Sequence, residues 1–160
     1  MKALIHRGIG MLTAVAACLS MGSAPLAQAQ SCSNASLNGA YGQTISGEFL
    51  PAPGISWPQN GVTMTVFDGH GGLTQEDYVV INGSPTGSGF QTETGTYTVN
   101  SNCTGTATFQ YSDGTQITLQ LVVVKHGDEF RTVVSKLTMG GKVVSVNIGS
   151  SGVRVDGDRR

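Results

Sequence analysis

The sequence predicts an all-β protein, an antiparallel up-and-down barrel of about eight strands. The first observation is the run 92–111, where threonine takes every second position on both sides of an Asn-Ser-Asn turn. Period two is typical of β-strands, and threonine favours them, so this run predicts an antiparallel hairpin. The second observation is that no helical period occurs after residues 1–29.

Eight segments with strand-like composition follow one another about ten to fifteen residues apart, and Gly, Asn or Asp stands at each connection, as tight turns require. A meander of this kind removes its exposed edges by closing into a barrel. A two-sheet β-sandwich is the alternative arrangement. The predicted strands are residues 40–50, 62–67, 73–81, 90–99, 103–111, 116–124, 129–137 and 142–148.

Residues 51–60 interrupt this pattern. Pro51, Pro53 and Pro58 disfavour a regular strand, and they surround Trp57, the only tryptophan of the chain. We therefore expect a loop here. The interpretation that we prefer is that Trp57 plugs one end of the barrel, and the alternative is that it belongs to a lid or contact loop.

The first part of the chain resembles a secretory signal peptide. Lys2 and Arg7 precede an apolar stretch at 9–21, and the small residues of Ala-Gln-Ala at 27–29 suit cleavage. This stretch is too short for a transmembrane helix, and no later segment approaches that length. We therefore expect a secreted or periplasmic protein.

The resulting domain organisation is simple. We expect a signal peptide at 1–29, one barrel domain at 30–150 and a flexible tail at 151–160. Cys18 offers an alternative, because it ends a Val-Ala-Ala-Cys sequence that is similar to a bacterial lipobox. Lipidation of Cys18 would anchor the protein in the cell envelope.

The two remaining cysteines, Cys32 and Cys103, form an even pair in a chain with export features, so we expect a disulfide between them. It would close a loop of about 70 residues and contribute about 4 kcal/mol in the chain-entropy model. Two cysteines without a neighbouring pair of histidines do not predict a metal site.

Charge is sparse and segregated along the chain. Charged residues make up 12% of it, and no Lys or Arg occurs between Arg7 and Lys125, an interval that contains six carboxylates. The acidic and basic parts either meet in space and compensate, or leave an acidic face that attracts cations or basic partners. Without a basic stripe, nucleic-acid binding is not expected.

The chain lacks the common catalytic motifs, and we predict no catalytic residue and no cofactor. His70 and His126 each lie in a glycine-containing turn and have no second ligand at a metal-like spacing. We therefore interpret both as exposed turn residues.

Strand parity provides the strongest hint of a site. Gln75 and Asp77 alternate with the strand period, as do Gln91 and Glu93 in the next strand. If these faces point inward, polar groups line the lumen, where Asp77 and Glu93 could act as an acid/base pair. A bulge at Gly95 would instead turn them outward. The candidate ligand-binding residues are Asp77, Gln91, Glu93, Tyr97 and Trp57.

Three stretches carry a resemblance to known proteins: CSNASLNGAYG at 32–42, FDGHGGLT at 67–74 and GTYTVNSNCTGT at 95–106. They resemble a group of uncharacterised small secreted proteins of Gram-negative bacteria, which is similar to calycin-like or allene-oxide-cyclase-like barrels. The resemblance implies a barrel fold and no particular activity. The lipocalin Gly-x-Trp signature is absent.

Three functions remain open. The first is an exported barrel that binds a small apolar or amphipathic ligand or forms part of the cell envelope, and it predicts an open lumen lined by Tyr41, Tyr97 or Phe109. The second is a barrel enzyme, isomerase-like or cyclase-like, which predicts Glu93 or Asp77 buried in a cleft with a raised pKa. The third is a structural or adhesive protein, which predicts a closed core and a contact surface at 51–58.

Overall fold

The computed structural model describes residues 31–155, which form nine strands and two short 3₁₀ turns. The turns lie at Asn34–Ser36 and Lys125–Gly127. The strands are β1 (Asn38–Ala52), β2 (Ile55–Asp68), β3 (Gly72–Ile81), β4 (Ser84–Pro85), β5 (Gln91–Val99), β6 (Thr104–Gln110), β7 (Gln116–Val124), β8 (Glu129–Met139) and β9 (Lys142–Arg154).

Eight of these strands close into an antiparallel barrel. Their order around the ring is β2-β1-β9-β8-β7-β6-β5-β3, and β2 pairs with β3 to close it. The two-residue strand β4 extends β3 at one edge. The barrel prediction is therefore confirmed and the sandwich alternative is wrong. The threonine hairpin is β5 and β6, where Thr96 pairs with Thr108 and Thr98 with Thr106.

One end of the barrel is packed with aromatic side chains, and we call it the closed end. Phe67 makes edge-to-face contacts with Tyr41, Tyr97 and Phe130, at ring-centroid distances of 5.4, 4.9 and 5.4 Å. Edge-to-face geometry is favourable for aromatic pairs. Leu37, which precedes β1, is fully buried against this cluster. The interior at this end is therefore a solid core.

The expected disulfide between Cys32 and Cys103 is present, with the two Cα atoms 4.9 Å apart. Next to it, the Cys32 amide donates a hydrogen bond to the Ser101 carbonyl, at 3.1 Å. The bridge attaches the segment before β1 to the turn between β5 and β6. It therefore holds that segment at the closed end, where Cys32 belongs to the core cluster.

The loop expected at 51–60 is instead the tip of a long hairpin, because β1 continues to Ala52 and β2 begins at Ile55. Pro51 and Pro58 therefore lie inside strands. Both are tolerated because each strand has a single neighbour there: the β1–β9 ladder ends at Leu50, and the β2–β3 ladder begins at Gln59.

Trp57 does not plug the barrel, so the preferred interpretation was wrong. Its side chain is 39% exposed and stacks on Phe49, its cross-strand neighbour in β1, with the ring centroids 6.0 Å apart. The two stacked rings pack against each other across the β1–β2 hairpin. Trp57 therefore does not fill the end of the barrel next to this hairpin.

We expected a flexible tail from residue 151, but β9 continues to Arg154. The Arg154 guanidinium donates to the Gly127 carbonyl at 3.0 Å and lies 4.8 Å from the centre of the Tyr41 ring. These contacts hold the end of β9 against the closed end. Residues 156–160, the predicted signal peptide and Cys18 lie outside the described residues. Between residues 31 and 155, no helix is long and apolar enough to cross a membrane.

Candidate ligand-binding site

The other end of the barrel, which we call the open end, contains a cavity of about 340 Å³. Its lining includes two exposed residues, Thr86 from the segment after β4 and Asp113 from the turn after β6, which we place at its rim. Inward-facing aliphatic and aromatic side chains form its walls, as alternation along the strands requires. The apolar wall residues are Ile45, Phe49, Val79, Ile81, Phe109, Ile117, Leu119, Val134, Leu137, Met139 and Ile148.

A hydrogen-bonded layer of polar side chains separates this cavity from the closed end. The Gln43 amide donates to the hydroxyls of Thr63 (3.1 Å) and Thr65, and its carbonyl accepts from Ser150 (3.0 Å). The Thr65 hydroxyl donates to the Gln75 carbonyl at 2.8 Å. Buried polar groups are stable when they are paired in this way. The layer therefore gives the apolar cavity a polar floor.

Asp77 lies beside this floor and has a partner. Its side chain is 4% exposed, and the Tyr111 hydroxyl donates a hydrogen bond to its Oδ2 at 3.1 Å. Burial raises the pKa of Asp77, and the hydrogen bond from Tyr111 partly offsets that rise. Burial also raises the pKa of Tyr111, and the adjacent Asp77 carboxylate raises it further. Tyr111 therefore stays protonated and acts as a donor.

Glu93 differs from Asp77 because its carboxyl group has no partner. The residue is 1% exposed, and neither carboxyl oxygen has a hydrogen-bond partner within the described part of the chain. The pKa of Glu93 is raised from 4.5 to about 8, mainly by burial and further by the Asp77 carboxylate, while the Gln75 side chain limits the rise. At neutral pH Glu93 is therefore largely protonated in the empty barrel.

Gln75, Asp77 and Glu93 face inward, an orientation that the sequence left open, and the alternative of a bulge at Gly95 is wrong. Gly95 pairs in regular register with Leu73 and Phe109. A Cβ at this position would lie 2.3 Å from the Thr108 carbonyl oxygen. Glycine is therefore required here by close strand packing, and the strand keeps its parity through to Glu93.

The other candidate residues lie elsewhere. Tyr97 belongs to the closed end, where its hydroxyl donates to the Leu37 carbonyl at 2.8 Å. Tyr41 is also in that core and does not line the cavity, whereas Phe109 does. Gln91 lines the rim, and its amide donates to the Gly89 carbonyl at 3.1 Å. Trp57 does not line this cavity but an adjacent, more open depression, which shares Phe49 and Ile81 with the cavity.

The sequence-based prediction missed several residues of the site. Gln43 lines the floor, Thr63 and Thr65 accept hydrogen bonds from its amide, and Tyr111 holds Asp77. The signal for the threonines was available, because Thr63 and Thr65 share their strand face with Phe67, an apolar residue at a closed end. Gln43 shares its face with Tyr41 in the same way.

Metal binding finds no support in this geometry. Within residues 31–155, no group of three or more His, Cys, Asp or Glu side chains is placed to hold a metal ion. His70 lies in an exposed turn, where its backbone amide donates to the Asp68 carboxylate at 2.7 Å. His126 lies in the turn after β7 with a positive φ of 60°. Both histidines are thus turn residues, as the sequence indicated.

No protein-family profile matches this chain, and no curated protein is significantly similar to it. The closed eight-stranded barrel is compatible with a calycin-like architecture. Function must therefore be inferred from the cavity and the side chains that line it.

Proposed function

We propose that the protein binds a small ligand with an apolar body and one polar end, and that the ligand occupies the cavity at the open end of the barrel. The observation that carries this proposal is the cavity of about 340 Å³, whose walls are apolar and whose floor is polar. Small-molecule sites in proteins are typically of this kind, with few polar groups that orient the ligand. Eight-stranded barrels often hold one such molecule.

The contrast between the two ends of the barrel supports the proposal. Protein interiors are normally close-packed, and wall atoms without neighbours lose dispersion contacts. The closed end meets this expectation through Tyr41, Phe67 and Phe130. At the open end Val134 and Leu119 face space instead, so a ligand would supply the contacts that the barrel lacks.

The cellular location belongs to the same proposal. A disulfide such as Cys32–Cys103 persists in oxidising compartments, which favours a secreted or periplasmic protein. The resemblance to small secreted proteins of Gram-negative bacteria points the same way. Lipid anchoring through Cys18 remains the alternative form of export.

A second candidate function is general acid/base catalysis by Glu93 and Asp77, as in an isomerase-like or cyclase-like barrel. It is favoured by one observation: the pKa of Glu93 is raised to about 8, near the pH at which a catalytic acid or base works well. Asp77, held by Tyr111, would be the second group of the pair. Turnover of a bound ligand that stops in Glu93→Gln would support this candidate.

The test of binding uses two neighbouring valines of β8. Val134 lines the cavity, whereas Val133 faces solvent with a 49% exposed side chain. Titration with the neutral fluorescent probe N-phenyl-1-naphthylamine should show saturable binding to the wild type and to Val133→Phe. Val134→Phe should lose it, because the larger side chain fills the cavity. Equal binding by both variants would contradict the proposal.

A further inference from the structure

The cavity at the open end is lined by carboxyl groups and, within residues 31–155, by no basic side chain. Asp77 and Glu93 lie at its floor and Asp113 at its rim, and within residues 31–155 no Lys, Arg or His lines it. The ion pairs of the described chain lie elsewhere and involve only residues from Lys125 to Arg154. The later basic residues therefore do not neutralise the carboxyl groups of the cavity.

A carboxyl group without a partner is the second, independent observation. Glu93 is 1% exposed, lines the cavity and presents two oxygens that accept no hydrogen bond from residues 31–155. A buried polar group without a partner destabilises the fold, and native proteins rarely keep one without a functional reason. A hydrogen-bond donor on a ligand would satisfy it.

We propose that the ligand is an amphipathic organic amine, whose ammonium group lies between Glu93 and Asp77 and whose apolar body contacts the cavity walls. This inference rests on the proposed binding function and specifies its ligand class. It also gives the acidic character of the chain before Lys125 a role, since that part supplies every carboxyl group of the cavity.

The acceptor oxygens of Asp77 and Glu93 suit the N–H donors of an ammonium group. An alkylammonium has three N–H donors and no acceptor. Asp77 uses Oδ2 to accept from Tyr111, and both oxygens of Glu93 are without a partner. Charge-assisted hydrogen bonds of this kind are stronger than neutral ones. An anionic head would meet the Asp77 carboxylate with no cation to offset it, and an alcohol would offer a single donor.

Binding of the amine should also be coupled to the release of a proton from Glu93. Glu93 is largely protonated in the empty barrel, and an adjacent ammonium favours its ionised form. The titratable groups that face it are Asp77 from β3, and Tyr111 and Asp113 from the turn after β6. The cavity residues of β1, β2, β7, β8 and β9 contain no titratable group. Amine binding at pH 7 should therefore release a proton, and affinity should rise between pH 6 and pH 8.

The experiment compares three ligands with the same eight-carbon chain: octylamine, octan-1-ol and octanoate. Isothermal titration of the full mature protein at pH 7 should give the amine about a tenfold or greater preference over the alcohol, and the weakest binding for octanoate. Titration of the amine in two buffers of different ionisation enthalpy should show the proton release.

Two carboxylate substitutions in neighbouring positions provide the control. Glu93→Gln should lose the preference for the amine and still bind octan-1-ol. Glu76→Gln removes one negative charge from the exposed face of β3 and should keep the preference, which separates the local contact from overall charge. Asp77→Asn should weaken the preference in the same direction as Glu93→Gln.

The outcomes separate this inference from the binding function. Octan-1-ol binding as tightly as octylamine would overturn the amine inference and leave the binding function standing. Retention of the amine preference in both Glu93→Gln and Asp77→Asn would overturn it as well. Failure of all three ligands to bind the wild type would overturn both proposals.

Discussion

Asp77 and Glu93 face one cavity from the neighbouring strands β3 and β5, yet within residues 31–155 only the Asp77 carboxyl has a hydrogen-bond partner, the Tyr111 hydroxyl at 3.1 Å. The two groups therefore differ in what they need from a ligand. Asp77 is already held in place, whereas neither carboxyl oxygen of Glu93 accepts a hydrogen bond from residues 31–155. Four further properties of the molecule should follow from this arrangement and from the packing around it.

The pH dependence of stability should reveal Glu93. Its pKa rises from 4.5 to about 8 on folding, so between these pH values the folded protein binds one more proton than the unfolded chain. The contribution of this proton to the free energy of unfolding is therefore fully present below pH 4.5, and it is lost as the pH rises through about 8. Urea unfolding of the empty protein should show the free energy of unfolding falling across this window.

Glu93→Gln should remove most of that fall, and Glu76→Gln should leave it intact. The reason is that a glutamine at position 93 cannot ionise, whereas Glu76 lies on the exposed face. A residual pH dependence from Asp77 should remain in Glu93→Gln, since burial raises its pKa too. An unchanged slope in Glu93→Gln would show that Glu93 does not ionise in this range.

Tyr111→Phe should destabilise the empty protein by about 1–3 kcal/mol at pH 7, because the buried Asp77 carboxyl loses its donor. The pKa of Asp77 should rise further at the same time, since the hydrogen bond from Tyr111 normally lowers it. Carboxyl-detected NMR titration measures this directly. Tyr78→Phe is the control, because Tyr78 does not line the cavity; an equal loss of stability in both variants would argue against the pairing.

Gly95→Ala should destabilise the barrel by about 1–3 kcal/mol, the range found for overpacked sites. The added Cβ would lie 2.3 Å from the Thr108 carbonyl oxygen, so β5 and β6 must separate. Gly89→Ala is the matched control, since a Cβ there meets nothing within 4 Å. Chemical denaturation should therefore distinguish the two variants. Similar midpoints would contradict the close strand packing at Gly95.

Replacement of both Cys32 and Cys103 by serine should cost about 2–4 kcal/mol, because the bridge closes a loop of 71 residues. The loss should be concentrated at the closed end, where Cys32 packs in the core cluster. Hydrogen exchange of β5 and β6 amides should accelerate first near the 100–103 turn. Unchanged exchange there would argue that the segment before β1 is held by other contacts.

The sequence predicted the fold well because its signals were local. Period-two threonines and an Asn-Ser-Asn turn define β5 and β6, and the cysteine pair defines the disulfide. Parity also put Gln75 with Asp77 on one face of β3 and Gln91 with Glu93 on one face of β5, but it left open whether those faces point inward. The strand properties depend on neighbouring residues, and tertiary packing did not override them. The disulfide joins residues 71 apart, and it was predictable because only two cysteines follow residue 30.

The inward face of β2 and the position of the cavity depended on contacts between residues that are distant in sequence. The inward face of β2 is the one with Thr63 and Thr65, while Val62, Met64 and Val66 are 40–48% exposed. Phe67 lies on the same face as these threonines, but the partner that satisfies their buried hydroxyls, Gln43, is distant in sequence. The sequence also did not show which end of the barrel is filled. Leu37 packs into the closed end, whereas Trp57 does not line the cavity at the open end.

The most direct test of the account is native mass spectrometry of the mature protein purified from its own host. If the cavity binds an amphipathic amine, the protein should carry one small molecule per chain. This molecule should dissociate on collisional activation and contain an amine. The adduct should be absent from Val134→Phe and present on Val133→Phe purified in parallel. An adduct-free wild type that also fails to bind octylamine on titration would contradict the claim that the open end of this barrel is a ligand site.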